Sequence, residues 1–275
     1  MTVLVTGATG NAGGAVVQSL AAESLAGRAL VRAETSLPDG IEPVYGDLNR
    51  PDTFADALDG VTGIFLLSGY DGLEELLGNA MRAGVEKVVV LSSSSLDGDL
   101  SNAVAAYHHA TEEAVKASQL VWTFLRPNSF MSNTLRWRDQ LVAGDVVRLQ
   151  FPDVPVSTIH PRDIADVAVR AFTGDHGGQV YRLTGPVALT PVEQLAILSD
   201  GIGRSLTPYP MSQAETHEDL YASMPAHYAS AIESFFGDGT IDETSVTDAV
   251  ERVTGHAPRT LQEWVRENRA AFRSR

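Results

Sequence analysis

The stretch Val5–Gly14, VTGATGNAGG, decides how the rest of the chain is read, because it lies between an apolar run at Val3–Val5 and an amphipathic run at Ala12–Ala22. A strand that turns straight into a helix through glycines at 7, 10 and 13 meets the structural condition for a turn that cradles a diphosphate. Gly7 permits a tight exit from the strand, Gly10 lets backbone amides approach a pyrophosphate, and Gly13 lets the helix pack closely on the sheet. The opening of the helix then offers unsatisfied N–H donors and a partial positive charge. The competing reading is a turn kept glycine-rich for packing alone, and the position and spacing of the three glycines speak against it. Candidate contacts in this segment are Thr6, Gly7, Thr9, Gly10, Asn11, Ala12 and Gly13.

Outward from that turn, short apolar runs alternate with helical patterns. Val3–Val5, Arg28–Val31, Pro43–Tyr45, Gly63–Leu67, Lys87–Leu91 and Val121–Leu125 read as strands, and runs such as VVVL are apolar at consecutive positions, as in strands covered on both faces. Ala12–Ala22, Asp52–Leu58, Leu73–Ala83 and Ala103–Ala117 read as helices between them. Repeated strand–helix units give an α/β fold with a parallel, doubly wound sheet. Further on, Arg162–Phe172 and Pro191–Ile202 read as helices and Val180–Leu183 as a strand. From Pro208 strand signals nearly vanish and helical patterns run to Phe272. The expected organisation is a dinucleotide-binding domain over 1–185 and a smaller, mostly helical substrate-side lobe over 186–275, interleaved with 128–160.

Composition narrows the function. With 275 residues, 44% hydrophobic and 20% charged, the chain can bury a full core. It has no cysteine, so disulfides, thiolate catalysis and thiolate-bound metals are excluded, and redox chemistry must come from a cofactor. A formal net charge of −15 argues against nucleic acid, whose affinity comes from neutralising phosphates. No secretory signal or bilayer-length apolar run is visible, so a cytoplasmic protein with no membrane partner is expected. The seven histidines are scattered, and His108 with His109, the only adjacent pair, point about 100° apart on a helix, so no metal site is expected. The partner expected is a small-molecule acceptor, and helices of the second lobe leave room for a homodimer.

The end of the second strand bears on which dinucleotide is bound. An NAD site commonly places an acidic residue there to hold the ribose 2′-hydroxyl, whereas this chain has Arg32, which can pair with a 2′-phosphate. NADP(H) is therefore expected over NAD(H), with Glu34 nearby as the opposing charge.

Further segments carry a family resemblance: YGDL at Tyr45–Leu48, FLLS at Phe65–Ser68, VVVLSS at Val88–Ser93, HHATEEAVKAS at His108–Ser118, WTFLRPNSFMSN at Trp122–Asn133 and GHAPRTLQEWVRENRAAF at Gly255–Phe272. Together with the GxxGxxG turn they resemble the NmrA-like branch of the atypical short-chain dehydrogenases/reductases over nearly the whole chain. That resemblance implies a Rossmann-type sheet, with Asp47 and Leu48 near the adenine, Leu67, Ser68 and Ser92 along the cofactor, and Pro127 to Phe130 near the nicotinamide.

The chain departs from ordinary short-chain dehydrogenases in its acid–base machinery. Those use a tyrosine with a lysine four residues later, but here the seven tyrosines are followed at that distance by Asn49, Glu74, Thr111, Gly185, Gln213, Pro225 and Ile232. Where related reductases carry the active-site lysine, the resemblance places His108. A histidine with the ordinary pKa of about 6.5 suits either a hydrogen bond to the ribose or proton donation, and Glu112 shares its helical face. His108 is thus the catalytic candidate, with packing of the helix face as its alternative role. Tyr107 is a weaker acid candidate because adjacent helical positions face different ways, and His160, just before a helix at Pro161, reads as structural. Three functions follow: an NADPH-dependent reductase of a small quinone, carbonyl or conjugated acceptor; a non-enzymatic redox sensor of the NmrA type; and a non-redox isomerase or cyclase.

Overall fold

The computed structural model describes residues 1–272. Strand β1 (Thr2–Val5) runs through the glycine turn into helix α1 (Asn11–Ala22), and β2 (Ala26–Val31) and β3 (Ile41–Tyr45) follow. Then come β4 (Gly63–Leu67), α2 (Leu73–Arg82), β5 (Lys87–Leu91), α3 (Ala103–Ala117), β6 (Val121–Pro127), α4 (Arg138–Ala143) and β7 (Val146–Leu149). The chain continues through α5 (Pro161–Thr173), β8 (Gln179–Leu183), α6 (Pro191–Ile202), β9 (Thr207–Pro210), α7 (Gln213–Ser223) and α8 (Ala226–Ile232) to α9 (Ala249–Thr254) and α10 (Leu261–Asn268).

Seven of these strands pair in parallel in the order β3-β2-β1-β4-β5-β6-β8. The expected doubly wound sheet is borne out. The strand order reverses between β1 and β4, and ligands of such sheets bind outside the carboxyl ends of the strands at that switch point. Alternation along each strand divides the core. Val3, Val5, Ala29, Val31, Phe65 and Val89 face α1, α5 and α9, while Leu4, Leu30, Ile64, Leu66, Val88 and Val90 face α2 and the Pro51–Leu58 turn. A third cluster, built around Trp137, Leu149, Leu198 and Trp264, joins α4, β7, α6 and α10. Ala249 and Val250 of α9 bury in the first cluster, so the chain crosses from the third cluster onto the sheet at α9 and returns to it with α10.

Two local readings are corrected. Asp52–Leu58 is a 3-10 segment starting at Pro51 and kinked at Phe54 (φ −139°), where burial of Phe54 and Leu58 overrides regular helical spacing. The stretch around Pro208 contains β9, which pairs in parallel with β7. Its TPYP sequence lacks two backbone donors, so it suits only a small two-stranded sheet and carries no ordinary strand signal. Among the described residues no helix is long and apolar enough to cross a membrane.

Candidate dinucleotide and acceptor site

The glycine turn is built by close backbone approach. Gly7 has φ +61°, and a Cβ there would stand 2.2 Å from Leu67 Cδ1. A Cβ on Gly13 would stand 2.3 Å from the Gly7 carbonyl oxygen and 2.9 Å from that of Thr6, so α1 sits directly on the strand exit. The Gly10 amide donates to the Gly7 carbonyl (2.9 Å) and closes the turn. No side chain caps α1, which leaves its first amides, around Asn11, Ala12 and Gly13, open to an outside acceptor. Thr9, Gly10 and Asn11 are exposed at this mouth. The Thr6 hydroxyl is buried, donating to the Phe65 carbonyl (2.9 Å) and accepting from the Leu67 amide (2.9 Å), so its side chain stitches β1 to β4.

At the end of β2, Arg32 is exposed and makes no ion pair among the described residues. Asp47 Oδ1 accepts the Asn49 amide (3.0 Å), which shapes the loop after β3. The Leu48 side chain packs with Phe54 and Leu58 in the core, which leaves its backbone for any ligand contact.

Beyond the turn, a cavity of about 380 Å³ brings together Leu67, Ser68, Ser92, His108, Pro127 and Phe130, six of the residues singled out in the sequence. Their side-chain bonds are mostly committed. Ser68 Oγ donates to the Leu91 carbonyl (2.9 Å), and Ser92 Oγ donates to Glu112 Oε1 (2.6 Å). Glu112 is fully buried and grips Arg126 through both oxygens (2.9 and 2.8 Å), so it is tied to β6 and does not orient His108. Burial pushes His108 down to about 4 despite the nearby Glu112 charge. The expected ordinary histidine titration is therefore corrected: the ring is neutral at pH 7, because the cavity wall desolvates its charged form. Its Nδ1 is buried with no hydrogen-bond partner among the described residues.

Tyr107 lines the same cavity, its ring 4.3 Å from that of His108 between centroids. The two directions on α3 straddle the cavity, so neighbouring positions both reach it. Burial raises the Tyr107 phenol above its ordinary value.

Glu243 was not legible as a site residue. It is buried in the same cavity wall, accepting from Ser94 Oγ (2.6 Å) and from the Ser129 amide (2.8 Å), and burial raises its carboxyl. A second cavity of about 570 Å³ lies against the first, with Ser129, Asn133, Ile232 and Phe236 in the walls of both. His160 is structural in its contacts, since its Nδ1 accepts the Arg162 amide (3.0 Å) and caps α5. One trio the sequence did not suggest, Asp163, Asp166 and His256, gathers its ligand atoms within 4.8 Å. The Arg259 guanidinium donates to both carboxylates there, fastening the approach to α10 onto α5.

A glycine cradle, an uncapped helix start and an unpartnered imidazole nitrogen at the switch point of a parallel sheet define a dinucleotide-binding protein. A model of NAD(P)H-binding proteins matches residues 7–175. The chain belongs to that NAD(P)H-binding family. It is 35% identical over 98% of its length, and 99% of the relative's, to the (4-alkanoyl-5-oxo-2,5-dihydrofuran-3-yl)methyl phosphate reductase of Streptomyces griseus. Among solved structures it is similar to the Escherichia coli NADPH-dependent quinone oxidoreductase QOR2 complexed with NADPH, with TM-score 0.77, 25% identity, and coverage of 97% and 99% of the two chains. The negative transcriptional regulator NmrA shares the fold at TM-score 0.74 and 20% identity, covering 97% of this chain and 94% of that one. The resemblance to the NmrA-like branch is borne out.

Proposed function

We propose that the chain is an NADPH-dependent reductase of a small, flat, conjugated acceptor such as a quinone or an unsaturated carbonyl compound. The observation that carries this reading is the shared wall: the groove holding His108 and Phe130 opens against a cavity of about 570 Å³ whose surface includes Trp137, Val154, Leu220 and Phe236. A volume of that size with a mostly apolar lining suits a small organic substrate. The relatives named as reductases of a dihydrofuranone phosphate and of quinones support it.

When bound, the dinucleotide supplies the hydride. The open amides of α1 would hold its diphosphate, and Arg32 would pair with the 2′-phosphate that marks NADP(H) over NAD(H). Neutral His108 is a poor acid at pH 7, so its role is a hydrogen bond through its free ring nitrogen with a cofactor or acceptor group. Tyr107 lines the same groove as a neutral phenol, and burial, by raising its pKa, keeps it a hydrogen-bond donor to a cofactor or acceptor oxygen. Leu67, Pro127 and Phe130 supply the apolar walls that exclude water. The sensor reading draws on the missing tyrosine–lysine pair, but a sensor has no need of the second cavity.

The test follows nicotinamide absorbance while purified protein meets NADPH and a panel of quinones, enones and butenolides. Multiple turnovers with at least one acceptor are expected. Stoichiometric NADPH binding with no turnover across the panel would favour the sensor, and product formed without cofactor consumption would favour the isomerase.

A further inference from the structure

We propose that the larger cavity is built for an acceptor that carries an anionic substituent, a phosphate or a carboxylate, and that Arg136 is the residue that holds it. The identity of the acceptor's reducible part rests on the reductase reading above; the anion site does not.

Arg136 lies on the 3-10 turn Met131–Trp137. Residues three apart eclipse one another on such a turn, so Arg136 follows Asn133 on one face, about 6 Å farther along the axis. Asn133 stands in the wall common to both cavities, whereas Arg136 lines only the larger one. That places the guanidinium away from the cofactor groove, at the far part of the acceptor space.

Its surroundings leave it free to meet a ligand. The guanidinium packs 5.6 Å from the centre of the Trp137 ring, and among the described residues it has no carboxylate within 4 Å and no hydrogen bond. Solvent reaches it through the cavity, yet it lies deep enough in protein that desolvation lowers its pKa. Arg136 is exposed to the cavity, and although the chain has 35 acidic residues none of those described lies within ion-pair distance of it, so its charge is free to meet an anionic group there.

Three other polar groups of the wall are already engaged. Gln140 bonds the Arg148 backbone in both directions, Thr134 Oγ1 donates to the Met131 carbonyl, and Gln194 donates to the Leu189 carbonyl. Arg148 stands 4.0 Å from Glu215 and over the Tyr209 ring. The one carboxylate in the wall, Asp219, accepts from Gln150 (2.6 Å) and opposes an anion, but it is not paired with Arg136. Apolar side chains of Trp137, Val154, Leu220, Met224 and Phe236 complete the cavity, so its complement is an apolar body with one charged end.

The experiment uses three butenolides that differ in one arm, ending in hydroxymethyl, phosphooxymethyl or carboxymethyl. Each is titrated by calorimetry into NADPH-loaded protein and assayed for NADPH oxidation, with wild type, Arg136→Gln and Arg136→Lys. A charge-assisted bond from a guanidinium predicts that an anionic arm is preferred over the neutral arm by about 10- to 100-fold in Kd or KM. Arg136→Gln should abolish that preference and Arg136→Lys should restore part of it, while the larger wild-type preference tells phosphate from carboxylate. A wild-type preference below about threefold, no binding of either anionic arm, or an unchanged preference in Arg136→Gln overturns the proposal. Should none of the three be reduced, the reductase reading fails for this acceptor class, and the calorimetric preference still decides the anion site. If Arg136→Gln melts early, the wild-type preference and Arg136→Lys decide it.

Discussion

Replacing Gly13 with alanine tests the central geometry, because the obstacle is backbone and cannot swing aside. The new Cβ would lie 2.3 Å from the Gly7 oxygen and 2.6 Å from its carbonyl carbon. An ordinary carbon–oxygen contact is about 3.3 Å or more, so α1 must retreat by roughly 1 Å. That movement loosens Val16, Val17 and Leu20, which are buried against the sheet, and overpacking of this kind costs about 1–3 kcal/mol of stability. It also carries the open amides of the first turn away from the diphosphate. Losing even one good hydrogen bond to a charged group costs about 1.5–3 kcal/mol, or at least a tenfold weaker Kd. Gly10→Ala separates the two effects, since its Cβ would meet only the Gly7 oxygen at 3.3 Å, and Gly10 already has φ −87°. Calorimetry with NADPH, together with urea denaturation, should show Gly13→Ala losing both stability and affinity and Gly10→Ala losing mainly affinity. Wild-type affinity in both variants would refute the placement of the diphosphate on this turn.

Arg32→Ala should weaken NADPH binding about tenfold and leave NADH unchanged, read by calorimetry with both nucleotides; equal effects on the two would remove the 2′-phosphate role. Arg259→Ala strands the fully buried Asp163 carboxylate, which burial already raises, and should lower unfolding free energy by about 3 kcal/mol; a loss below 1 kcal/mol would make the network incidental. His108 and His160 are both depressed to about 4 by burial, against about 6.5 in the unfolded chain. Their contribution is fully present above pH 6.5 and is lost as pH falls from there toward 4, because the unfolded state takes up protons first. Between pH 7.5 and 5.5 the pair should cost about 1–3 kcal/mol, and His108→Gln should remove about half of that slope in urea titrations.

What could be read from the sequence was what local sterics and spacing determine. Helix α3 runs over the expected Ala103–Ala117 because Asn102 accepts the Val104 amide and fixes its start. Helix α6 matches Pro191–Ile202 because Thr190 and Glu193 form a capping box and Gly203 (φ +68°) stops it. The glycine turn was legible for the same reason. Side-chain direction at strand ends was not: Thr6 turns its hydroxyl into the sheet and Leu48 its side chain into the core. Glu243 was invisible because its meaning arises only when a segment 149 residues away meets Ser94. His108 was found by position, but its neutral state depends on surroundings contributed by α3, β6 and the chain after α8.

The floor between the two cavities shows how such a site can work without the tyrosine–lysine pair. The ends of β5, β6 and β8 are lashed together by the segment at 242–247. Glu243 binds Ser94 and the Ser129 amide, its carbonyl accepts from Asn128 Nδ2 (3.1 Å), and Thr247 Oγ1 donates to the Arg182 carbonyl (2.8 Å). Asn128 is further held by its amide on the Leu183 carbonyl (2.9 Å) and by Ser157 Oγ (2.9 Å). Ser129 is thereby fixed by strand ends on one side and by a carboxylate on the other, at the wall that cofactor groove and acceptor cavity share. Holding two reactants in a near-attack arrangement can supply about 7–11 kcal/mol of a barrier. A quinone or conjugated acceptor asks little of acid–base catalysis and much of placement. On the reductase reading, the hydrogen-bonded floor makes placement of cofactor and acceptor the main contribution expected of this chain.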